Sequence, residues 1–298
     1  MMALRKPYSL SLPGGTTFEL GERTRVMGVV NVTPDSFADG GDFFIPQRAV
    51  DRALELEDAG ADILDIGGES TRPGAAPLSV EEELRRVIPV LKQLSERVGV
   101  PMSIDTYKGP VAEAALDLGA VVINDISSLT YDPLLVSVVA KRGVPIILMH
   151  NRGRSQQMYR EASYENVGQE VAIELLATIE RAVNAGIARE QIVVDPGLGF
   201  AKQAHHSTAV LADLPVLNSL DRPILVGASR KSFLELMLGT RSPQDREWGT
   251  AGAVAVAALL GAHIVRVHDV SAHSDVVRVV DALRSVRVGT EQNLEREC

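Results

Sequence analysis

The amino-acid sequence predicts an α/β chain folded as a single (β/α)8 TIM barrel with a short N-terminal extension. Two observations carry this. Eight short apolar runs rich in Val and Ile recur along the chain, and each is followed by a loop and then by a stretch of helical periodicity. Unbroken apolar runs are what strands of a parallel sheet need when helices cover it, and right-handed crossovers then leave few topologies. Eight units favour a closed barrel over an open doubly wound sheet, and 298 residues suffice for one barrel.

In chain order, residues 1–22 form the extension, where Pro13-Gly14-Gly15 reads as the turn of a short hairpin that closes the bottom of the barrel. The barrel occupies residues 23–286. Its strands are read at Val26–Val30, Asp62–Ile66, Pro101–Ile104, Val121–Ile123, Val144–Met149, Gln191–Val194, Pro223–Val226 and His263–Val267. Between them, Pro110–Leu118 sets Val111, Ala114, Ala115 and Leu118 at helical spacing behind an N-terminal proline. A second helix, Val171–Val183, sets Leu175, Leu176, Ile179 and Val183 on one side. The small apolar residues between Gly252 and Gly261 predict a tightly packed helix, suited to core packing or a subunit contact. Residues 287–298, ending GTEQNLEREC, read as a flexible tail.

Composition narrows the partners. Lys and Arg number 30 against 39 Asp and Glu, a net charge of −9 without a basic block, which argues against nucleic acid or an anionic membrane. The single cysteine, Cys298, allows no internal disulfide, so a cytoplasmic setting is expected. The N-terminus lacks the apolar core of a signal peptide, and the longest apolar stretch, Ala251–Ala262, is shorter than the roughly 20 residues of a spanning helix. A soluble protein is expected.

Nearly every apolar run ends in a residue able to do chemistry: Asn31, Asp65, Asp105, Asn124, His150, Asp195, the Ser229-Arg230-Lys231 group, and Arg266 with His268. In a parallel barrel the C-terminal ends of all strands open on one face, so these side chains converge on one mouth. Polar residues often follow strands in any case, but eight in succession are harder to assign to plain turns.

Several strings add detail. Asn31-Val32-Thr33-Pro34-Asp35-Ser36-Phe37 with Gly40-Gly41 is a long polar loop, suited to a lid carrying Asp35 and Phe37. Gly67–Gly74 joins two hydroxyls, Ser70 and Thr71, to Arg72 and Pro73, a set suited to an anionic or polar ligand. Asp195-Pro196-Gly197-Leu198-Gly199-Phe200 puts a carboxylate at a strand end before a rigid turn and an aromatic ring. Ser229–Phe233 brings two cations and two hydroxyls to a helix start without the spacing of a nucleoside-triphosphate P-loop. Arg266 and His268 share a strand face by the period of two. They suit a diphosphate clamp; a purely structural Arg–carboxylate pair is the alternative. His205, His206 and His263 fit no metal-ligand spacing and read as surface or core residues.

Taken together, MGVVNVTPDSF, DIGGESTRPGA, SIDT, INDISS, DPGLGF, GASRKSF and RVHDV resemble the dihydropteroate synthase family in order and spacing, from about Met27 to Val270. The resemblance implies a barrel enzyme of folate biosynthesis, usually a homodimer. Such enzymes join 6-hydroxymethyl-7,8-dihydropterin diphosphate to 4-aminobenzoate and release pyrophosphate. It assigns the pterin edge to Asp105, Asn124, Asp195 and Lys231, and the diphosphate to Asn31, Arg72, Arg266 and His268, with Mg2+ on Asn31. It assigns aminobenzoate to Phe37, Thr71, Pro73, Phe200, Lys231 and Ser232. The chemistry agrees, since a carboxylate accepts two parallel N–H bonds from a guanidine-like edge and a lysine suits a carbonyl.

The implied catalytic set is Asp35, Asp105, Asp195, Lys231, Arg266 and His268. The arylamine is a weak, neutral nucleophile, so activating the leaving group serves better than a strong base. Departures from the family pattern are small: Ala201 stands where many relatives have glycine before Lys202, and Asn151 follows His150. A pterin-dependent methyltransferase has no use for the SRKS and RVH strings. A non-catalytic pterin-binding paralogue would be marked by loss of Asp35, Lys231, Arg266 or His268, and all are present.

Overall fold

The computed structural model describes residues 5–33, 45–71, 74–153, 159 and 162–296, with side chains up to residue 286. β1 (Tyr8–Ser11) and β2 (Thr17–Leu20) pair antiparallel from Tyr8 opposite Leu20 to Ser11 opposite Thr17. Their turn closes through Leu12 N–H donating to the Thr16 carbonyl at 2.9 Å, with Gly14 and Gly15 at φ 85° and 80°. That left-handed backbone is why glycine stands twice at the tip. Leu10, Phe18 and Leu20 pack on Met27, Ile63, Val122, Ile147, Val193, Leu225 and Ile264, which lie toward the starting ends of the barrel strands. The hairpin therefore plugs the bottom, as the sequence predicts.

Eight parallel strands follow: β3 (Arg25–Asn31), β4 (Ile63–Gly67), β5 (Met102–Asp105), β6 (Ala120–Asp125), β7 (Ile146–Met149), β8 (Ile192–Asp195), β9 (Leu225–Val226) and β10 (Ile264–Val267). They run in the order β8-β7-β6-β5-β4-β3-β10-β9, and a parallel bridge between Val194 and Ile224 joins the two edges. Pro223 shortens β9 because it has no N–H to give, yet its carbonyl still accepts from Val194 N at 2.9 Å. All eight apolar runs read from sequence hold strands, within three residues at each end.

The helices are α1 (Ile45–Asp58), α2 (Val80–Leu94), α3 (Gly109–Asp117), α4 (Pro133–Arg142), α5 (Val167–Asn184), α6 (Ala204–Ala212), α7 (Glu235–Leu238), α8 (Glu247–Leu259) and α9 (Val270–Arg296). Local chemistry sets their ends. In α4, Asp132 caps the Leu134 N–H, Pro133 opens the first turn and Gly143 closes the helix at φ 63°. On α5 the buried face is Val171, Leu175, Ile179 and Ala182, and Leu176 is 44% exposed. The sequence reading set Leu176 on one side with Leu175, Ile179 and Val183. The 3.6-residue period carries it about 100° around from Leu175. α9 continues as helical backbone into the stretch read as a tail. Among the described residues no helix is long and apolar enough to cross a membrane.

Register is what positions the site. Asn31 lies opposite Gly67, Gly67 opposite Asp105, and Asp105 opposite Asn124, so four neighbouring strands end on one level at the mouth. If the hairpin is only a plug, Leu10→Ala should cost about 2–5 kcal/mol in urea unfolding while leaving ligand affinity at the opposite end unchanged. A drop in affinity without loss of stability would contradict that division.

Candidate active site

The floor of the mouth is a buried charge network. Asp65 has no exposed surface; its Oδ2 accepts from Arg266 Nε at 2.6 Å and from Asn124 Nδ2 at 2.9 Å. Arg266 reaches on through NH2 to Asp105 Oδ2 at 2.8 Å. The guanidinium thus joins two carboxylates and still keeps its NH1 hydrogens, so the structural pairing and a clamp role are compatible. Asn124 gives one amide hydrogen to Asp65 and keeps its second N–H and its Oδ1 for other partners. Gly67 makes room for this: a Cβ there would sit 3.3 Å from the Asp105 Cβ.

Asp195 stands across the mouth and accepts from Gly197 N at 2.7 Å through Oδ1. Lys231 donates to the Leu198 carbonyl at 2.5 Å and lies 4.8 Å from the centre of the Phe200 ring. His268 is held by Ser229, whose Oγ accepts from His268 N at 3.2 Å and meets Nδ1 at 2.9 Å. Thr71 and Phe200 are half-buried, and Ser232 is exposed at the start of the helical turn after Lys231. Asn31, half-buried at the end of β3, makes no side-chain hydrogen bond among the described residues. Asp105, Asn124, Asp195, Lys231, Arg266 and His268 therefore meet at the barrel mouth as the sequence predicts. Asp35, Phe37, Arg72 and Pro73 lie outside the described residues.

Burial governs the electrostatics. It pushes the Asp105 carboxyl up to about 7 against the pull of Arg266, with Asp65 adding to the rise. It raises Asp195 too, opposed by Lys231 and the Gly197 N–H, and it lowers Lys231 to about 8 despite Asp195. Acceptors with raised proton affinity facing donors with weakened hold on their protons suit a polar ring bearing both N–H and C=O groups.

Two loops that reach the mouth are fastened by contacts the sequence reading did not find. Lys108 contacts both Glu69 and Glu83, and Tyr107 Oη donates to Glu69 Oε1 at 2.9 Å, which anchors the loop after β4. Gly68 is required beside it, because a Cβ would lie 2.8 Å from Val87 Cγ1. On the other side Lys202, 1% exposed, is bonded to His150 Nδ1 at 2.7 Å. His150 appears among the strand-end residues, but its partners Lys202 and Glu174 lie 52 and 24 residues away, with no spacing signal.

The comparisons with known proteins agree with this geometry. The family model of pterin binding enzymes matches residues 27–268. A dihydropteroate synthase of Synechocystis is 45% identical over 270 residues, covering 91% of this chain and 93% of its own. The chain belongs to the dihydropteroate synthase family. Two solved members superpose closely. The Xanthomonas albilineans enzyme, solved with 4-aminobenzoic acid, has a TM-score of 0.87 at 42% identity and covers 94% of this chain and 99% of its own. The Yersinia pestis enzyme, in a sulfonamide drug complex, has a TM-score of 0.86 at 41% identity and covers 93% and 99%. Both superpose over more than nine-tenths of this chain.

The raised Asp105 carboxyl gives a pH prediction. The folded state holds its proton up to about 7, the unfolded chain only to its ordinary value near 3.8. Burying this group therefore costs least below about pH 4, and the cost grows as pH rises to about 7. The urea midpoint of the wild type minus that of Asp105→Asn should fall across this window and level off above it; a flat difference would count against the assignment.

Proposed function

We propose that the protein condenses 6-hydroxymethyl-7,8-dihydropterin diphosphate with 4-aminobenzoate to give 7,8-dihydropteroate and pyrophosphate. The observation that carries this is the meeting of Asp105, Asn124 and Asp195 with Lys231 and Arg266 in one barrel mouth, in a chain of the dihydropteroate synthase family. Asp195 and Asp105 accept from the amino-pyrimidine edge of the pterin, Asn124 offers its Oδ1, and Lys231 donates to the ring carbonyl. Arg266 through NH1, His268, Arg72 and Asn31 surround the diphosphate. Thr71, Pro73, Phe200, Ser232 and Phe37 form the aminobenzoate subsite beside Lys231.

The donor set fits Mg2+. Asn31 brings a hard amide oxygen with no other hydrogen-bond duty among the described residues, and magnesium takes few protein ligands when a phosphate supplies the rest. Bound there, the ion would supply charge neutralisation at the diphosphate. The protein's own groups do the remainder. Arg266 and His268 stabilise the departing oxygen as the methylene C–O bond breaks with its electron pair going to the diphosphate. The positive charge left on the pterin methylene spreads into the ring beside Asp105 and Asp195, with Asp35 adding to the field. The amine nitrogen then forms the new C–N bond and releases a proton to water.

The assembly follows the same reading. Leu236 and Met237 on α7, Trp248 and Val256 on α8, and Val279 and Leu283 on α9 are exposed, Trp248 by 88%, which supports a homodimer formed through these helices. We place the enzyme in the cytoplasm, acting on small molecules and on neither nucleic acid nor membrane.

Pyrophosphate should appear only when both substrates and Mg2+ are present; release that ignores aminobenzoate would instead indicate a hydrolase. Arg266→Ala should lower turnover by about 10² to 10³-fold and lower stability as well, because buried Asp65 loses its cation; near-normal turnover of the folded variant would refute its role. Millimolar sulfonamide should inhibit in competition with aminobenzoate, and an unchanged rate would rule out that subsite.

A further inference from the structure

Lys202 is a buried amino group with no place in the reaction just derived; burial lowers it to about 7, against the pull of Asp195. Its Nζ reaches three acceptors: His150 Nδ1 at 2.7 Å, the Phe200 carbonyl at 3.1 Å and the Gly197 carbonyl at 3.3 Å. In the protonated form these three contacts use all of its hydrogens. Two close the 197–200 turn on itself and the third ties it to the end of β7.

The direction of each bond follows from the far side of the imidazole. His150 Nε2 lies 3.0 Å from Glu174 Oε2. Against burial, which raises it, hydrogen bonds from His150 and Arg152 bring Glu174 down to about 2, so it can only accept. Nε2 therefore carries the hydrogen. Burial and the charge of Lys202 lower His150 to about 4, leaving a neutral ring whose Nδ1 is a lone pair. Lys202 must be the donor there. Arg152 secures the same carboxylate through Nε at 3.1 Å, donates to Glu170 at 2.8 Å and stacks 3.9 Å above the Tyr164 ring, whose hydroxyl donates to the Ala201 carbonyl at 2.9 Å.

The turn so fastened carries two groups of the proposed site. Phe200 is one wall of the aminobenzoate subsite, and the Leu198 carbonyl holds Lys231 Nζ at 2.5 Å. The turn also needs fastening. Ala201 sits at φ 46° and Gly197 at φ 66°, where a Cβ would fall 2.1 Å from the His150 carbonyl. A non-glycine residue in left-handed backbone is strained and persists only where surrounding contacts impose it.

We infer that Lys202, oriented by His150 and Glu174, is a positioning residue that sets aminobenzoate affinity by pinning the 197–200 turn. This rests on the function proposed above, and a substrate-free readout separates the two. In Lys202→Met, the KM for aminobenzoate should rise about tenfold to a hundredfold, and the KM for the pterin diphosphate, which the turn reaches only through Lys231 and the Gly197 N–H on Asp195, should rise by at least about threefold less. Backbone amides of residues 197–201 should exchange with deuterium faster in the variant, with or without substrates.

His150 gives the finer test. His150→Asn keeps an acceptor oxygen near the Nδ1 position and should retain most of the aminobenzoate affinity. His150→Gln keeps only the donor toward Glu174 and should behave like Lys202→Met. That pair decides the matter if Lys202→Met fails to fold. Equal loss for both substrates, no loss for either, or the opposite order of the two His150 variants would overturn the inference. If the wild type forms no dihydropteroate, the functional reading falls, and the exchange rates still decide whether Lys202 holds the turn.

Discussion

Asp65 is the constraint on which the rest of the mouth depends. A carboxylate with no exposed surface is tolerable only when its lone pairs are engaged, and the protein engages Oδ2 with Arg266 and Asn124. Those two bonds orient both partners. Arg266 lies across the floor toward Asp105, and the Asn124 amide is fixed with one N–H on Asp65. Asp65 Oδ1 has no donor among the described residues, so acceptor capacity remains in the floor itself. One residue that faces no ligand thereby fixes the hydrogen-bonding sense of the residues that do. Removing either partner would leave a buried charge uncompensated, which is usually far more damaging than the net worth of the pair.

The same network explains how an acidic protein handles an anionic substrate. The net charge of −9 governs long-range encounters, whereas the proposed diphosphate would meet Arg266 and His268 at close range in a partly desolvated mouth. Burial raises Asp105 and Asp195 and lowers Lys231, weakening the charged form of each. Asp105 near 7 and Lys231 near 8 can respond to charge that develops in the ligand, because a small change in field shifts their protonation. Arg266 shows no such softening. Its two carboxylates outweigh its burial and keep it charged.

Much of this was legible in the sequence because it follows from period and order. Apolar runs mark the strands, a strand end marks the mouth, and parallel register brings Asn31, Asp105 and Asn124 to one level. The hairpin was legible from its glycine turn. What escaped was contact across long separations. Nothing in the spacing of Lys108, Glu69 and Glu83, or of Lys202, His150 and Glu174, says that these side chains touch, because each lies on a different element and the geometry of helix on barrel decides the pairing. Arg266 was legible as a cation at the mouth, but its carboxylate partners emerged only with the closed sheet. Ala201 is a different case. Alanine carries no signal of a positive φ, so its strain shows only in the fold.

The two buried lysines have a common logic. Loops at a barrel mouth are the variable, mobile part of the architecture, and a subsite assembled from them is only as exact as their anchoring. Lys108 and Lys202 each stand behind a loop, in contact with a carboxylate pair in one case and an imidazole with two carbonyls in the other. Neither needs to touch substrate to affect it. A long side chain reaching from behind can hold a loop from its buried side and leave the ligand-facing surface to other residues, here the proposed subsite residues Thr71, Phe200 and Lys231. Holding that surface before the ligand arrives lowers the conformational entropy lost on binding. This suits a second substrate as small as an aminobenzoate, which has few atoms with which to order a loop for itself.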